Sequence, residues 1–520
     1  MPVNAAAKKI ATPVPTVNYA YPWTPDCGDG TYRNPVLYAD YSDPDVIRHG
    51  EDFWMTSSSF NCTPGLPILH SRDLVNWTLV NHALKNLPGE RYNKVQPGCG
   101  VWAPSLRFHA GKFWIFFPLP DEGIYVTTAD DPRGRWSEPL LVQAGKGLID
   151  PCPLWDDDGK AYLVHAYAQS RSGVKHTLRI VPLAPNGNRL LGEGQIVFHE
   201  PDRHHTIEGP KFLKRDGWYY ILAPAGGVAT GWQTVLRSRS IFGPYEDKIV
   251  LRQGNTSING PHQGALVDTV NGEWWFLHFQ DVGLYGRIVH LQPVEWRDGW
   301  PLMGDINGAV AAGQPVLQHR KPNLPDSRIV APVTSDEFTT SKLGLQWQWH
   351  ANHRDEWFSL ATRDGWLRLF AQPAANDLAL LPNLLLQKFP ARSFTVETSL
   401  DFAPTQAGQE AGLVIMGNSS AALALRATGL GAQMVLRVDG HDQVLGESLR
   451  RQVKFRVVVR DGGLCDFSVV DDAGNARIVL QGFQARAGKW IGAKLGIYCI
   501  APKEQATGGG HADFDYFRFA

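Results

Sequence analysis

The sequence predicts an all-β chain, a five-bladed β-propeller followed by a β-sandwich of the jelly-roll or lectin-like type. Three observations carry this reading. The 18 Trp, 15 Tyr and 23 Phe, set among 52 Gly and 36 Pro, suit many short strands joined by tight turns. A strand–turn–strand pattern recurs five times before residue 304, and several strands per repeat with a period near 50 residues is a propeller signature. Beyond residue 315 the repeat stops and a different set of alternating strands begins. A chain of 520 residues also exceeds one ordinary domain of roughly 100–200 residues. Its 43% hydrophobic content supplies a core for each part.

Charge excludes some functions at once. Fifty Lys and Arg against 51 Asp and Glu leave a net charge of −1, without the basic excess that a phosphate backbone needs. Nucleic acid is therefore not the expected partner. No apolar run reaches the roughly 18 residues of a membrane span, so a membrane is not expected either.

Residues 1–33 read as an N-terminal tail, rich in Ala, Pro and Thr at its start and without an apolar signal core. The expected location is periplasmic or secreted, with a mature chain whose signal has been replaced; a cytoplasmic protein is the alternative. Cys27, Cys62, Cys99, Cys152, Cys465 and Cys499 contain no close pair, which excludes a C-x-x-C zinc site and favours buried or free thiols.

Residues 34–317 read as the propeller. Each repeat has a polar or Pro-marked start, a short apolar strand, a turn with Gly or Asp, and an aromatic pair. The first runs from Asp43-Pro to Phe53-Trp, the second from Ala103-Pro to Phe113-Trp and the third from Asp150-Pro to Tyr162. The fourth runs from Glu208-Gly-Pro to Trp218-Tyr and the fifth from His262 to Trp274-Trp. Asp156-Asp-Asp-Gly159 resembles a metal loop, but it occupies the slot of the other repeats' turns and is read as a hairpin turn.

The repeat starts carry the chemistry. In a propeller the innermost strands line one axis, so equivalent ends converge on one depression. Asp43, Asp150, Glu208, His262 and Trp102 (just before Ala103) are thereby aimed at one place. For a single Asp-Pro the simpler reading is a turn start; three carboxyls at matched positions point further. Clustered carboxyls raise each other's pKa, and a carboxyl pair with one member protonated is the equipment of glycoside hydrolysis. The Trp102 indole offers a flat face to a sugar ring.

At these residues the chain resembles glycoside hydrolase family 43, a five-bladed propeller family of β-xylosidases and α-L-arabinofuranosidases. The matching segments are Asn34-Pro-Val-Leu-Tyr-Ala-Asp-Tyr-Ser-Asp43-Pro, Gly100-Val-Trp102-Ala-Pro-Ser, Ile149-Asp150-Pro, Thr206-Ile-Glu208-Gly-Pro and Tyr285-Gly-Arg287. The resemblance implies inversion, with Asp43 as general base, Glu208 as general acid, and Asp150 orienting Glu208 and raising its pKa. It also implies that Arg287 reaches sugar hydroxyls and that Phe60 walls the first sugar pocket. His262 matches a histidine under the pocket that sometimes contacts calcium or its waters, a hydrogen-bonded core histidine being the alternative. Trp232, after the Gly226-Gly227 loop, is read either as a second wall or outer subsite, or as a core or surface tryptophan.

Residues 318–333, rich in Pro and charge, read as a linker. Residues 334–520 read as the sandwich, with strands at Trp366–Phe370, Phe394–Leu400, Val453–Val459 and Ala512–Phe519. It resembles the concanavalin-like domain that follows the propeller in many β-xylosidases of the family. That implies packing on the propeller and a loop sent toward the pocket mouth; a carbohydrate-binding module and a plain stabilising partner are the alternatives. Asp336 with Asp513 or Asp515 is a candidate structural calcium site, because sandwich termini often meet. No organic cofactor is required.

The expected activity is exo-acting hydrolysis, releasing xylose from the non-reducing end of xylo-oligosaccharides. An α-L-arabinofuranosidase acting on arabinose-decorated hemicellulose, or a bifunctional enzyme, is the alternative. A non-catalytic sugar-binding propeller is the reading from a different class, disfavoured because all three acids stand in their motif contexts.

Overall fold

The computed structural model describes residues 21–307, 312–325, 328–374, 377–448, 450–504 and 509–520. Five four-stranded antiparallel sheets follow one another along the chain and form blades I to V. Their first two strands are Asp45–His49 and Asp52–Thr56 (I), Ser105–His109 and Lys112–Leu119 (II), and Leu148–Trp155 and Ala161–Tyr167 (III). Lys211–Arg215 and Trp218–Ala225 (IV), and His262–Asp268 and Trp274–Asp281 (V), complete the set. These ten strands are the five repeats of the sequence. The Asp156–Gly159 segment closes the first hairpin of blade III, with Gly159 at φ 80° donating its N–H to the Asp156 carbonyl at 3.0 Å.

The aromatic pair has a packing cause. Successive side chains of a strand point to opposite faces, and each blade packs on two neighbours. Phe53 joins a buried cluster with Val267 and Trp275 of blade V, whereas Trp54 joins Leu106 and Phe113 of blade II. Tyr219 and Tyr220 divide in the same way between blades III and V. Two adjacent large side chains in the second strand thus serve two interfaces, each worth about 1.5–3 kcal/mol on burial.

The ring closes between blades V and I through the segment before Asp43. Leu37 pairs with Val289, and the Asn34 side chain bonds the carbonyls of Leu291 and Val316 at 2.8 Å each. Neither flanking segment is wholly irregular. Residues 1–20 lie outside the description, but Thr31–Arg33 forms a two-stranded sheet with Gln318–Arg320. Part of the expected tail and the start of the expected linker therefore brace each other.

The C-terminal part is a two-sheet sandwich. One sheet contains Leu385–Lys388, Lys494–Pro502, Glu410–Met416, Ala421–Ala427, Ala432–Val438 and His441–Ser448; the other contains Leu367–Phe370, His511–Phe519, Phe394–Ala403, Gln452–Arg460, Leu464–Val470 and Ala476–Gln484. Alternation drives the packing: Phe394, Val396 and Leu400 are buried in the core, while Thr395 and Glu397 are only partly covered. That core extends into the propeller through Tyr38, Tyr285 and Ile288. All six cysteines are free thiols, four of them buried. No helix among the described residues is long and apolar enough to cross a membrane.

Candidate active site

Asp43, Phe60, Trp102, Asp150, Glu208, His262 and Arg287 line one cavity of about 270 Å³ at the end of the propeller axis. The backbone explains how the acids reach it. Asp43 and Asp150 adopt φ 54° and 57°, the left-handed region that costs non-glycine residues of order 1–3 kcal/mol. In blade III the pairing register shifts between Ile149 and Cys152, and in blade V between His262 and Gly264. Such bulges re-aim a side chain without ending the strand.

Asp43 is buried and held from two sides. Ser58 Oγ donates to its Oδ2 at 2.5 Å, and Arg287 Nη1 lies 3.1 Å from Oδ1. Arg287 is itself held by the Phe279 ring, 4.8 Å from its guanidinium carbon. Arg287 thus takes part as the partner of Asp43 as well as lining the cavity.

Asp150 accepts the N–H of Gly209, the residue after Glu208, at 2.8 Å. Burial pushes its carboxyl up from 3.8 to about 8, with the charges of Glu208 and Asp43 adding to the rise and the Gly209 N–H and Lys211 opposing it. Asp150 therefore keeps its proton at neutral pH, next to Glu208. The Glu208 side chain is 28% exposed and Asp150 only 3%; Glu208 is the member that can meet a ligand. His262 Nε2 lies 3.0 Å from Glu208 Oε1.

Three contributors escaped the sequence reading. Ser58 sits in a run of serines with no signal of its own. Lys211 is buried on the axis, donating to the Pro104 carbonyl at 2.6 Å and to Ser105 Oγ at 2.9 Å, with Asp45 Oδ1 at 3.9 Å. Trp490 comes from the sandwich and also lines the cavity. Its ring stands 6.4 Å from that of Trp102 at 69°, and 5.5 Å from the Arg287 guanidinium carbon. The general expectation of a sandwich loop near the pocket is thus met by one residue that the strand pattern could not single out.

The sandwich also braces the opposite wall. Phe60 exchanges backbone hydrogen bonds with Val101 at 2.9 and 3.0 Å, and Asn61 and Thr63 donate side-chain hydrogen bonds to the carbonyls of His350 and Ala351 at 2.5 Å each. Phe60 is therefore fixed between blade II and the second domain.

Trp232 is not a wall of this cavity. Its ring lies behind Gly226, where an added Cβ would come within 2.7 Å of it, and its Nε1 donates to His204 Nδ1 at 3.3 Å. The suggested calcium ligands do not assemble either: among the described residues no three His, Cys, Asp or Glu side chains group as a metal site. Asp513 is taken by Arg368 at 2.7 and 2.9 Å and by Arg363 at 3.2 Å. Asp336 accepts the Trp347 indole N–H at 2.9 Å and the Phe338 N–H at 2.9 Å. Asp515 joins no such set; His262 meets Glu208 through Nε2, and its buried Nδ1 has no hydrogen-bond partner among the described residues.

The comparisons agree with this architecture. Residues 32–301 match Glycosyl hydrolases family 43, and residues 335–520 match the Beta xylosidase C-terminal Concanavalin A-like domain. A beta-xylosidase from Formosa agariphila is 32% identical, the alignment covering 98% of this chain and 94% of that one. A non-reducing end alpha-L-arabinofuranosidase from Bacteroides ovatus is 31% identical over 74% of this chain and 73% of its own. The crystal structure of the GH43 BlXynB protein from Bacillus licheniformis superposes with a TM-score of 0.81 at 27% identity, covering 94% of this chain and 99% of that one. With its five blades, its three converging carboxyls and its concanavalin-like second domain, the chain belongs to glycosyl hydrolases family 43.

Proposed function

We propose that the chain is an exo-acting, inverting β-xylosidase that releases xylose from the non-reducing end of xylo-oligosaccharides. The observation that carries this reading is a single cavity bearing Asp43, Asp150 and Glu208 and walled by Phe60, Trp102 and the sandwich's Trp490. Walls contributed by two domains suit the terminal sugar of a chain better than an open groove would.

Asp43, held by Ser58 and Arg287, takes a proton from a water molecule as that water attacks the anomeric carbon. Glu208 gives its proton to the departing glycosidic oxygen. Both proton transfers happen in one displacement, so the sugar leaves with inverted configuration. Asp150 stays behind Glu208: through the Gly209 N–H it fixes the backbone that carries the acid.

The arabinofuranosidase relative supports a second reading, removal of terminal α-L-arabinofuranose from decorated hemicellulose by the same residues. Initial rates on aryl β-D-xylopyranoside and aryl α-L-arabinofuranoside, measured side by side with Asp43→Asn as control, separate the two. A faster xyloside rate is expected. A faster arabinoside rate would replace the first reading with the second, and no turnover of either would leave a sugar-binding propeller.

A further inference from the structure

Asp40 lies three residues before the proposed base and is buried. Its two oxygens serve different parts of the molecule. Oδ1 accepts the Ser42 hydroxyl at 3.2 Å and the Arg287 N–H at 3.0 Å. Oδ2 accepts the N–H of Gly492, from the sandwich, at 2.9 Å. A segment that ends at Gly492 carries Trp490 into the cavity. Ala493 adds an N–H bond to the Leu284 carbonyl at 2.7 Å.

The approach is too close for a side chain. A Cβ on Gly492 would meet the backbone of Tyr285 and Gly286 at 2.8 Å, and one on Gly286, at φ 75°, would meet the Asp40 carboxyl at 2.5 Å. Trp490 itself adopts φ 64°, a conformation a bulky residue keeps only when its surroundings impose it. The residue is 40% exposed, so core packing alone does not hold it.

We propose that Asp40 is a positioning residue for the sugar pocket: one buried carboxylate locks the sandwich loop that presents Trp490 onto the propeller turn that presents Arg287. The proposal rests on the reading of this cavity as the glycosidase site, and it assigns the second domain a part in substrate binding through a contact outside the cavity. A hydrogen bond to a buried charge is among the stronger ones available to a loop, and stranding its donor removes that support.

Asp40→Asn is the test, because it keeps the shape and discriminates between the two oxygens. The amide oxygen keeps the place where two donors converge, Ser42 and Arg287, so the NH₂ group faces the Gly492 N–H, which loses its acceptor. In the full chain, deuterium uptake of residues 486–494 should become faster while the blade strands stay as in the wild type. Unchanged uptake in 486–494 would overturn the proposal, and this readout needs no substrate. On the aryl β-D-xylopyranoside, KM should rise about tenfold with a smaller change in kcat. In a Trp490→Ala background the same substitution should add less than about twofold. An equal cost in both backgrounds would show that Asp40 does not act through Trp490. Should the wild type turn over neither aryl glycoside, the xylosidase reading fails, and the uptake measurement still decides the role of Asp40.

Discussion

Asp150 accepts the Gly209 N–H while sitting between two further carboxyls, and burial holds its pKa near 8 against the ordinary 3.8. Between those values the folded chain keeps a proton that the unfolded chain releases. The associated stability is present at low pH and is lost as the pH climbs through the window. Asp150→Asn carries no such proton, so its melting temperature relative to the wild type should rise between pH of about 5 and about 8; a constant difference would contradict the assignment. The same substitution should move the basic limb of the pH–rate profile downward, because the carboxyl that burial holds protonated to high pH is gone. Glu208→Gln should lose about 10²–10⁴-fold on natural xylosides, the worth of a general acid, and clearly less on activated aryl leaving groups, which depart without protonation. Asp43→Asn should abolish turnover of both substrates. Equal losses for Glu208→Gln on the two substrate types, or substantial residual rate for Asp43→Asn, would reassign those roles. These three acids were legible in the sequence because each stands at a repeat start, where the fold forces equivalence. Ser58 and Lys211 were not, since a serine among serines and a lysine after Gly-Pro acquire meaning only from what lies opposite them.

At the scale of elements, the repeats were readable because each blade needs two large adjacent side chains in its second strand to cover both faces. Phe53→Ala should therefore cost about 3–5 kcal/mol of propeller stability, read from denaturant unfolding, although Phe53 lies outside the cavity; a loss under about 1 kcal/mol would undercut the packing account. Loops follow no such period. Trp232 was open to two readings, a wall or a core tryptophan, and the tight turn at Gly226 folds back over its ring. Asp336, Asp513 and Asp515 looked like metal ligands, but strand pairing sets Asp513 opposite Arg368 and directly across from Asp401. The result is a web of ion pairs along neighbouring strands of one sheet. Trp490 was hidden for the opposite reason: its role depends on a loop far along the chain docking on the Tyr285–Arg287 turn.

For the molecule as a whole, the second domain is part of the site and not only an appendage. The junction contains Lys388, whose ammonium bonds Gln348 Oε1 at 2.9 Å and lies 5.2 Å from the Tyr41 ring. Burial, reinforced by Lys494, brings its pKa down to about 7 from 10.5. Between those values the unfolded chain holds the extra proton, so stability from this group grows as the pH rises from about 7 toward 10.5 and is lost below. Lys388→Met should raise the melting temperature near pH 7, with the advantage shrinking toward pH 10; a pH-independent difference would place Lys388 in a more solvated setting. The sequence disclosed two β domains but not this seam, because contacts between distant surfaces leave no periodic trace. On the proposed mechanism, Asp43 and Glu208 act on opposite sides of one glycosidic bond in a single displacement. The most direct test is time-resolved proton NMR of xylobiose hydrolysis, following the anomer of xylose released from the non-reducing end. The α-anomer should appear first and equilibrate afterwards; a β-anomer appearing first would contradict the mechanism.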